Sequence, residues 1–112
     1  MKKAVFLDRD GVINKNVFYA DSAEWESPRT PDDVVLHEGA TWAIKKIHDA
    51  GFKLFIVSNQ PSYAKGKTSL KNLMAVDQLI SKLLNEKGAT IEARFYAYDH
   101  PDAVNKDVPA PH

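Results

Sequence analysis

The chain has 112 residues, a length that suits one domain with a single, modest hydrophobic core. Its 15 basic and 15 acidic residues balance, so no bulk charge attracts nucleic acid or an anionic membrane surface. Cysteine is absent, which excludes disulfides and thiolate metal sites. The apolar run near the N-terminus stops at Asp8, too early for a signal peptide or a membrane span, so we expect a cytoplasmic protein.

The first half of the chain predicts one strand, a long excursion and one helix. Ala4 to Leu7 is an apolar run that stops at charged residues, as a strand buried in a parallel sheet does. Residues 15–38 show no helical or strand period and contain two prolines, and an excursion of this length in a small domain is usually functional. Gly39 to Ala50 has apolar residues at helical spacing, and Gly51 follows as a stop signal.

The second half of the chain continues the alternation of strands and helices. Lys53 to Val57 is rich in β-branched and aromatic residues and predicts a second buried strand. Ser58 to Lys67 predicts a loop, after which Thr68 or Ser69 can cap a second helix whose apolar stripe ends before Gly88.

A third strand is predicted from Thr90 to Tyr98, and the tail 99–112, with three prolines, is predicted to be irregular. The order βαβαβ favours an α/β fold with a Rossmann-like parallel sheet and right-handed crossovers. In such sheets ligands bind beyond the carboxyl ends of the strands. The polar groups at those ends are Asp8-Arg9-Asp10, Ser58-Asn59-Gln60 and Asp99-His100.

The pair of carboxylates after the first strand is the most informative feature. Asp8 and Asp10 are two residues apart in an extended segment, so both can face one site. A carboxylate is a competent nucleophile towards phosphorus, and a second acid can protonate the leaving oxygen. Two carboxylates this close call for a cation, for which magnesium is the natural choice. Gly11 would let backbone amides approach a phosphate oxygen.

The string from Phe6 to Asn14, FLDRDGVIN, resembles the first motif of the haloacid-dehalogenase (HAD) superfamily. Its form is close to that of the branch containing histidinol-phosphate and heptose-bisphosphate phosphatases. The resemblance implies that Asp8 is the nucleophile and Asp10 the general acid/base. It also implies that Mg²⁺ contacts the Asp8 carboxylate and the Asp10 backbone carbonyl, while Arg9 either has a local structural role or contacts a residue that itself touches the ion or the substrate.

The same branch has a HAD-like fold without a large cap, and a short flap covers the site. Residues 15–38 stand where that flap is expected, and within them Arg29 is a candidate to contact a distal phosphate or a sugar hydroxyl. Trp25 and Trp42 are expected to be packing residues rather than substrate platforms.

The end of the second strand resembles the second motif of the superfamily, a strand that ends in Ser or Thr. Ser58 is therefore a candidate phosphate ligand, and Asn59 a candidate to position the substrate or the acid–base group. The following loop resembles a segment whose basic residues lie near the entrance of the site. Lys65 and Lys67 are accordingly candidates to attract a phosphorylated substrate, although solvated lysines before a helix remain an equal alternative.

Two later elements of the family pattern are missing. The superfamily has a lysine that neutralises phosphate and acidic residues that hold magnesium after a later strand, and Lys106 is a weak substitute for that lysine. Many members of the branch also bind zinc through cysteines. Because this chain has no cysteine, a zinc site is not expected here. We therefore interpret residues 1–112 as a single HAD-like domain or the N-terminal part of one.

These observations predict a magnesium-dependent phosphomonoesterase that acts through an aspartyl-phosphate on a small phosphorylated metabolite, with a sugar (heptose) bisphosphate favoured. The alternatives are a catalytically incomplete fragment or phosphate-binding or interaction domain, and a histidinol-phosphate or polynucleotide 3′-phosphatase. No nucleic-acid or membrane partner is expected, and the oligomeric state stays open.

Overall fold

The computed structural model describes residues 3–60 and 62–97. Three strands form a parallel sheet in the order β1-β4-β5, where β1 is Ala4–Leu7, β4 is Lys53–Asn59 and β5 is Ile91–Ala97. Phe55 lies opposite Phe6 on one side, and Ser58 lies opposite Tyr96 on the other. Since all three strands run in the same direction, their carboxyl ends meet at one edge, which confirms the predicted parallel α/β sheet.

Two helices complete the predicted alternation. α1 is Glu38–Asp49 and α2 is Leu70–Glu86. Ser69 caps α2, because its hydroxyl accepts a 3.0 Å hydrogen bond from the backbone N–H of Asn72. The helices and the sheet share one hydrophobic core, whose buried members are Ile13, Ile44, Leu54, Ile56, Leu73, Val76, Ile80, Leu84, Ala89 and Tyr96. No helix among the described residues is long and apolar enough to cross a membrane.

The opposite face of the sheet is open and aromatic. Successive residues of a strand point to opposite faces, so Leu54 and Ile56 enter the core while Phe55 points the other way. Phe55 stacks between Phe6 and Phe95, with ring centroids 5.1 Å and 6.4 Å away. Phe6 is 63% exposed and Phe95 is 41% exposed. These three rings form a continuous apolar strip on the surface of the described fold.

The excursion 15–38 is more ordered than the sequence predicted. It contains an antiparallel hairpin of β2, Val17–Tyr19, and β3, Glu24–Glu26, followed by a 3₁₀ turn at Pro31–Asp33. The prediction of no strand period failed because each strand has only three residues, too few to show alternation. Residue Ala23 has φ of 55°, in the left-handed region, immediately before β3.

The two tryptophans do not pack in the core, so the expectation for them was wrong. Trp25 is 70% exposed and touches Phe18 edge-on across the hairpin, with ring centroids 5.6 Å apart. Trp42 is also exposed, and the ammonium of Lys46 lies 4.6 Å from its ring centroid. Both tryptophans lie on the surface, which the large size of the side chains did not indicate.

Candidate active site

The two acids of the first motif occupy different surroundings just beyond β1. Asp8 is exposed, and its side chain makes no hydrogen bond or ion pair with any other residue that the structure describes. Asp10 is mostly buried, with a side chain that is 16% exposed. The Asp8 carboxylate is thus available to a ligand, whereas the Asp10 carboxylate is held by the protein.

Four side chains donate to the Asp10 carboxylate. Its Oδ1 accepts from Arg9 Nε at 3.0 Å and from Asn14 Nδ2 at 3.1 Å. Its Oδ2 accepts from Gln60 Nε2 at 2.5 Å and from Ser58 Oγ at 3.4 Å. Both oxygens are therefore fixed, and the contacts to Ser58 and Gln60 join the end of β1 to the end of β4.

Arg9 is a fully buried cation in this group, with 1% exposure. Its Nη2 also lies 3.0 Å from Asp10 Oδ1, but outside hydrogen-bond geometry, and its guanidinium carbon lies 5.2 Å from the centroid of the Tyr96 ring. Burial lowers the pKa of Arg9, but the Asp10 carboxylate and Tyr96 outweigh it and raise that pKa above its ordinary value. The side chain therefore stays charged and fixes the position of the Asp10 carboxylate.

Tyr96 connects this group to α2. Its hydroxyl donates to Asp77 Oδ1 at 2.5 Å, and Arg94 Nε donates to the same carboxylate. Burial and the contact with Asp77 raise the pKa of Tyr96, despite the opposing effect of Arg9, so the hydroxyl stays protonated. The ring that supports Arg9 is thus anchored at its far end.

Ser58 lies where the sequence predicted it, buried at the end of β4 and within reach of Asp10. Asn59 is exposed at the last position of the strand. The structure therefore brings Ser58 together with the first motif and leaves Asn59 on the open side of the same strand end. Both assignments as substrate contacts stay predictions.

Gly11 occupies a tight turn after Asp10. Its φ is 81°, which favours glycine, and a Cβ there would lie 3.1 Å from Asn16 Nδ2. Its N–H already donates to the carbonyl of Asn14 at 2.7 Å. Glycine is thus required by the backbone conformation, and its own amide is occupied within the turn.

Arg29 is buried in an ion cluster of the excursion. Its guanidinium donates to Glu26 at 3.0 Å and to Asp21 at 2.9 Å, and lies 3.9 Å over the Tyr19 ring. Burial lowers the pKa of Arg29, but these two carboxylates raise it above its ordinary value overall. In this arrangement the Arg29 guanidinium is paired within the protein.

Lys67 joins the same cluster, because its ammonium lies 2.8 Å from Glu26 Oε2. Thr68 adds a second link by donating to the carbonyl of Arg29 at 2.7 Å. These contacts tie the excursion to the loop before α2. Lys65 is half-buried and makes no ion pair with another described residue, so its predicted role in attracting substrate is left open.

The donor chemistry of the site suits magnesium. Asp8 offers a carboxylate that no described residue occupies, and Mg²⁺ is usually held by one or two carboxylates together with waters and substrate phosphates. Among the described residues, no group of three or more acidic or histidine side chains converges. The assignment of the ion to the Asp8 carboxylate and the Asp10 backbone carbonyl, which the resemblance implies, stays a prediction.

Two site residues were not assigned by the sequence analysis. Asn14 and Gln60 are both fully buried and both donate to Asp10. The available signal was their position inside the two strings that carry the resemblance. Amides after a strand are more often turn residues, so burial had to be seen before a role was evident.

Comparison with known proteins identifies related phosphatases. The D-glycero-alpha-D-manno-heptose-1,7-bisphosphate 7-phosphatase of Photorhabdus laumondii is 34% identical over 102 residues, which are 91% of this chain and 51% of that protein. The D-glycero-D-manno-heptose-1,7-bisphosphate 7-phosphatase of Chlorobaculum tepidum is 30% identical, over 89% of this chain and 47% of that protein. No protein-family model matches the chain.

Two solved structures are also similar to this chain in fold. A D,D-heptose 1,7-bisphosphate phosphatase from B. bronchiseptica, crystallised with magnesium and phosphate, superposes with a TM-score of 0.74 at 25% identity, over 92% of this chain and 54% of that one. A protein from Mesorhizobium loti assigned as a HAD-like phosphatase gives a TM-score of 0.80 at 29% identity, over 97% and 49%.

The resemblance stated from the two motifs is confirmed by these matches, as is the HAD-like fold. The chain spans about half the length of the curated relatives it matches.

Proposed function

We propose that this chain carries the nucleophile and the acid–base residue of a magnesium-dependent phosphomonoesterase. The observation that carries the proposal is the meeting of Asp10 and Ser58 at the carboxyl edge of the sheet, where Ser58 Oγ lies 3.4 Å from Asp10 Oδ2. Asp8, two residues before Asp10, is exposed. The relatives named as heptose-bisphosphate phosphatases support a sugar bisphosphate as the substrate.

The proposed reaction has two steps. An Asp8 oxygen attacks phosphorus in line while the bond from phosphorus to the substrate oxygen breaks, and Asp10, which enters this step protonated, gives that oxygen its proton and becomes a carboxylate. Asp10 then takes a proton from water, the water oxygen attacks the aspartyl-phosphate, and inorganic phosphate leaves with Asp8 regenerated. With substrate bound, the Ser58 hydroxyl turns from Asp10 and donates its one hydrogen to a phosphate oxygen, without adding charge.

Magnesium, when bound at Asp8, would supply positive charge that screens the phosphate from the attacking carboxylate. The fixed contribution of the chain is orientation, because positioning and charge stabilisation provide most of the rate gain in phosphoryl transfer.

The decisive experiment measures phosphate release from p-nitrophenyl phosphate and from sugar bisphosphates, with and without Mg²⁺, on the product of the complete reading frame. Asp8→Asn should remove nearly all turnover, since the amide is not a nucleophile, whereas Asp49→Asn on the exposed face of α1 should retain it. Rapid quenching should trap a phosphorylated protein that hydroxylamine cleaves.

Retained magnesium-dependent turnover in Asp8→Asn would reject the assignment. Absence of turnover in the wild type would favour the alternative of a phosphate-binding or interaction domain.

A further inference from the structure

Gln60 occupies a junction of all three strand ends. It directly follows β4, and its backbone N–H donates to the carbonyl of Ala97 at the end of β5 at 2.6 Å. Its side chain is 1% exposed and reaches Asp10, beyond the end of β1. The residue is therefore held by its backbone on one side and by its side chain on the other.

The side-chain amide of Gln60 bridges the two polar groups of the proposed chemistry. Its Nε2 donates to Asp10 Oδ2 at 2.5 Å and to Ser58 Oγ at 2.7 Å. While Asp10 is ionised its carboxylate only accepts hydrogen bonds, so in that state the amino group of Gln60 and not its carbonyl oxygen faces Asp10. Both amide hydrogens are used, and they set the distance between the acid and the hydroxyl.

Packing does not explain a glutamine at this position. Its Oε1 is buried and has no hydrogen-bond partner among the described residues. The two hydrogen bonds of the amino group are the contacts that an apolar side chain could not make at this position.

The remaining contacts show what the amide adds. Arg9 and Asn14 hold Oδ1 of Asp10, and both lie in the same turn as Asp10 itself. Gln60 holds Oδ2 from a different strand and is the closer of the two donors to that oxygen. Without Gln60, the carboxylate would keep its local contacts but lose its firm link to β4.

We propose that Gln60 is a positioning residue that holds the Asp10 carboxylate and the Ser58 hydroxyl in one fixed arrangement for proton transfer. The inference rests on the proposed function, because it assigns Gln60 a role through Asp10. Gln60 itself is not required to touch the substrate.

This role predicts a dependence on the leaving group. A sugar oxygen leaves poorly unless it is protonated, so its release depends on a well-aligned Asp10. The p-nitrophenolate ion leaves readily without protonation. Misalignment of Asp10 should therefore slow cleavage of a sugar phosphate far more than cleavage of p-nitrophenyl phosphate.

The test compares Gln60→Met with Gln78→Met in the product of the complete reading frame. Methionine keeps the length and flexibility of glutamine but removes both donors. Gln78 is exposed on α2 and provides the same substitution away from the site. We expect kcat/KM for a sugar bisphosphate to fall about 10- to 100-fold in Gln60→Met and to change less than about threefold for p-nitrophenyl phosphate. Gln78→Met should match the wild type on both.

Equal losses on the two substrates would mean that Gln60 merely supports the fold, and no loss on either would also overturn the proposal. Asp10→Ala should show the same preference for the aryl phosphate, which provides the benchmark.

A second measurement needs neither turnover nor a Gln60 variant. In ¹⁵N NMR spectra, the side-chain amide protons of Gln60 should exchange with solvent at least about tenfold more slowly than those of Gln78, because a buried bonded amide opens rarely. Asp10→Ala should remove most of that protection. Turnover with a freely exchanging Gln60 amide would reject only the positioning role. A protected amide in a wild-type protein without turnover would reject the proposed function, and the catalytic role of Gln60 with it.

Discussion

The Arg29→Met variant separates two roles that Arg29 can have. The sequence predicts a contact with the substrate, whereas the structure shows the guanidinium paired with Glu26 and stacked on Tyr19. Methionine retains most of the aliphatic stem and removes the charge and the donors. If the ion cluster holds the hairpin of β2 and β3 in place, the variant should loosen that hairpin.

The size of the effect follows from the interactions that methionine cannot make. Hydrogen bonds to a charged group contribute about 1.5–3 kcal/mol net, and a cation–π contact contributes about 0.5–2 kcal/mol. The Glu26 carboxylate keeps its hydrogen bonds from Lys67 and Ser22, which reduces the loss. We therefore expect the hairpin to become less stable by about 2 kcal/mol, or about 30-fold in its opening equilibrium.

Amide hydrogen exchange measures this opening directly. The backbone amides of Val17–Tyr19 should lose about 30-fold in protection in Arg29→Met, while those in the middle of α2 should change little. Lys45→Met is the control, because Lys45 pairs with Asp49 on an exposed face of α1 and such pairs contribute little. It should leave the hairpin amides unchanged.

One result would refute the reasoning. If protection of the hairpin is unchanged in Arg29→Met while KM for a sugar bisphosphate rises strongly, Arg29 binds the substrate and the ion cluster does not hold the hairpin.

Two further predictions concern the core and the response to acid. Ile56→Ala should lower the free energy of unfolding, measured in urea, by about 2–5 kcal/mol, because Ile56 is fully buried in the central strand. Val57→Ala on the exposed face should lower it much less. Equal losses in the two variants would contradict the assigned faces. Burial raises the pKa of Glu26, but Lys67, Ser22 and Arg29 lower it below its ordinary value of 4.5 overall. Because the folded-state pKa is depressed, the stability that Glu26 contributes is present above pH 4.5 and is lost as the pH falls through the folded value. Glu26→Gln should therefore flatten the acid side of the stability profile, and an unchanged slope would show that the cluster is not coupled to folding.

The regular elements were predictable because their signals are local. The apolar run Ala4–Leu7 is a strand as predicted, and α1 and α2 agree with their predicted bounds to within two residues. The predicted burial of that first strand was wrong, because it lies at the edge of the described sheet and its residues are exposed or half-buried. The second strand extends two residues beyond the prediction, to Asn59, because pairing with β5 continues through Ser58 and Asn59. Pairing between strands is a tertiary property that the composition of one strand does not encode.

The site was predictable in its charged residues and not in its supporting ones. Asp8, Asp10 and Ser58 stand in strings that carry a recognisable chemistry. The burial of Arg9 depends instead on Tyr96, a residue 87 positions later in the chain that supplies a ring beneath the guanidinium. The pairing of Arg29 with Glu26 likewise depends on the hairpin, which the sequence analysis did not predict.

The aromatic strip of Phe6, Phe55 and Phe95 has a consequence for how stability is measured. The described sheet gains hydrophobic stabilisation from one side, whereas parallel sheets usually gain it from two. Any molecule that binds these rings in the native state, and not in the unfolded chain, raises the free energy of unfolding by RT ln(1 + L/Kd), where L is its free concentration. A free energy of unfolding obtained for this chain by itself is therefore a lower bound for conditions in which the rings are shielded from water.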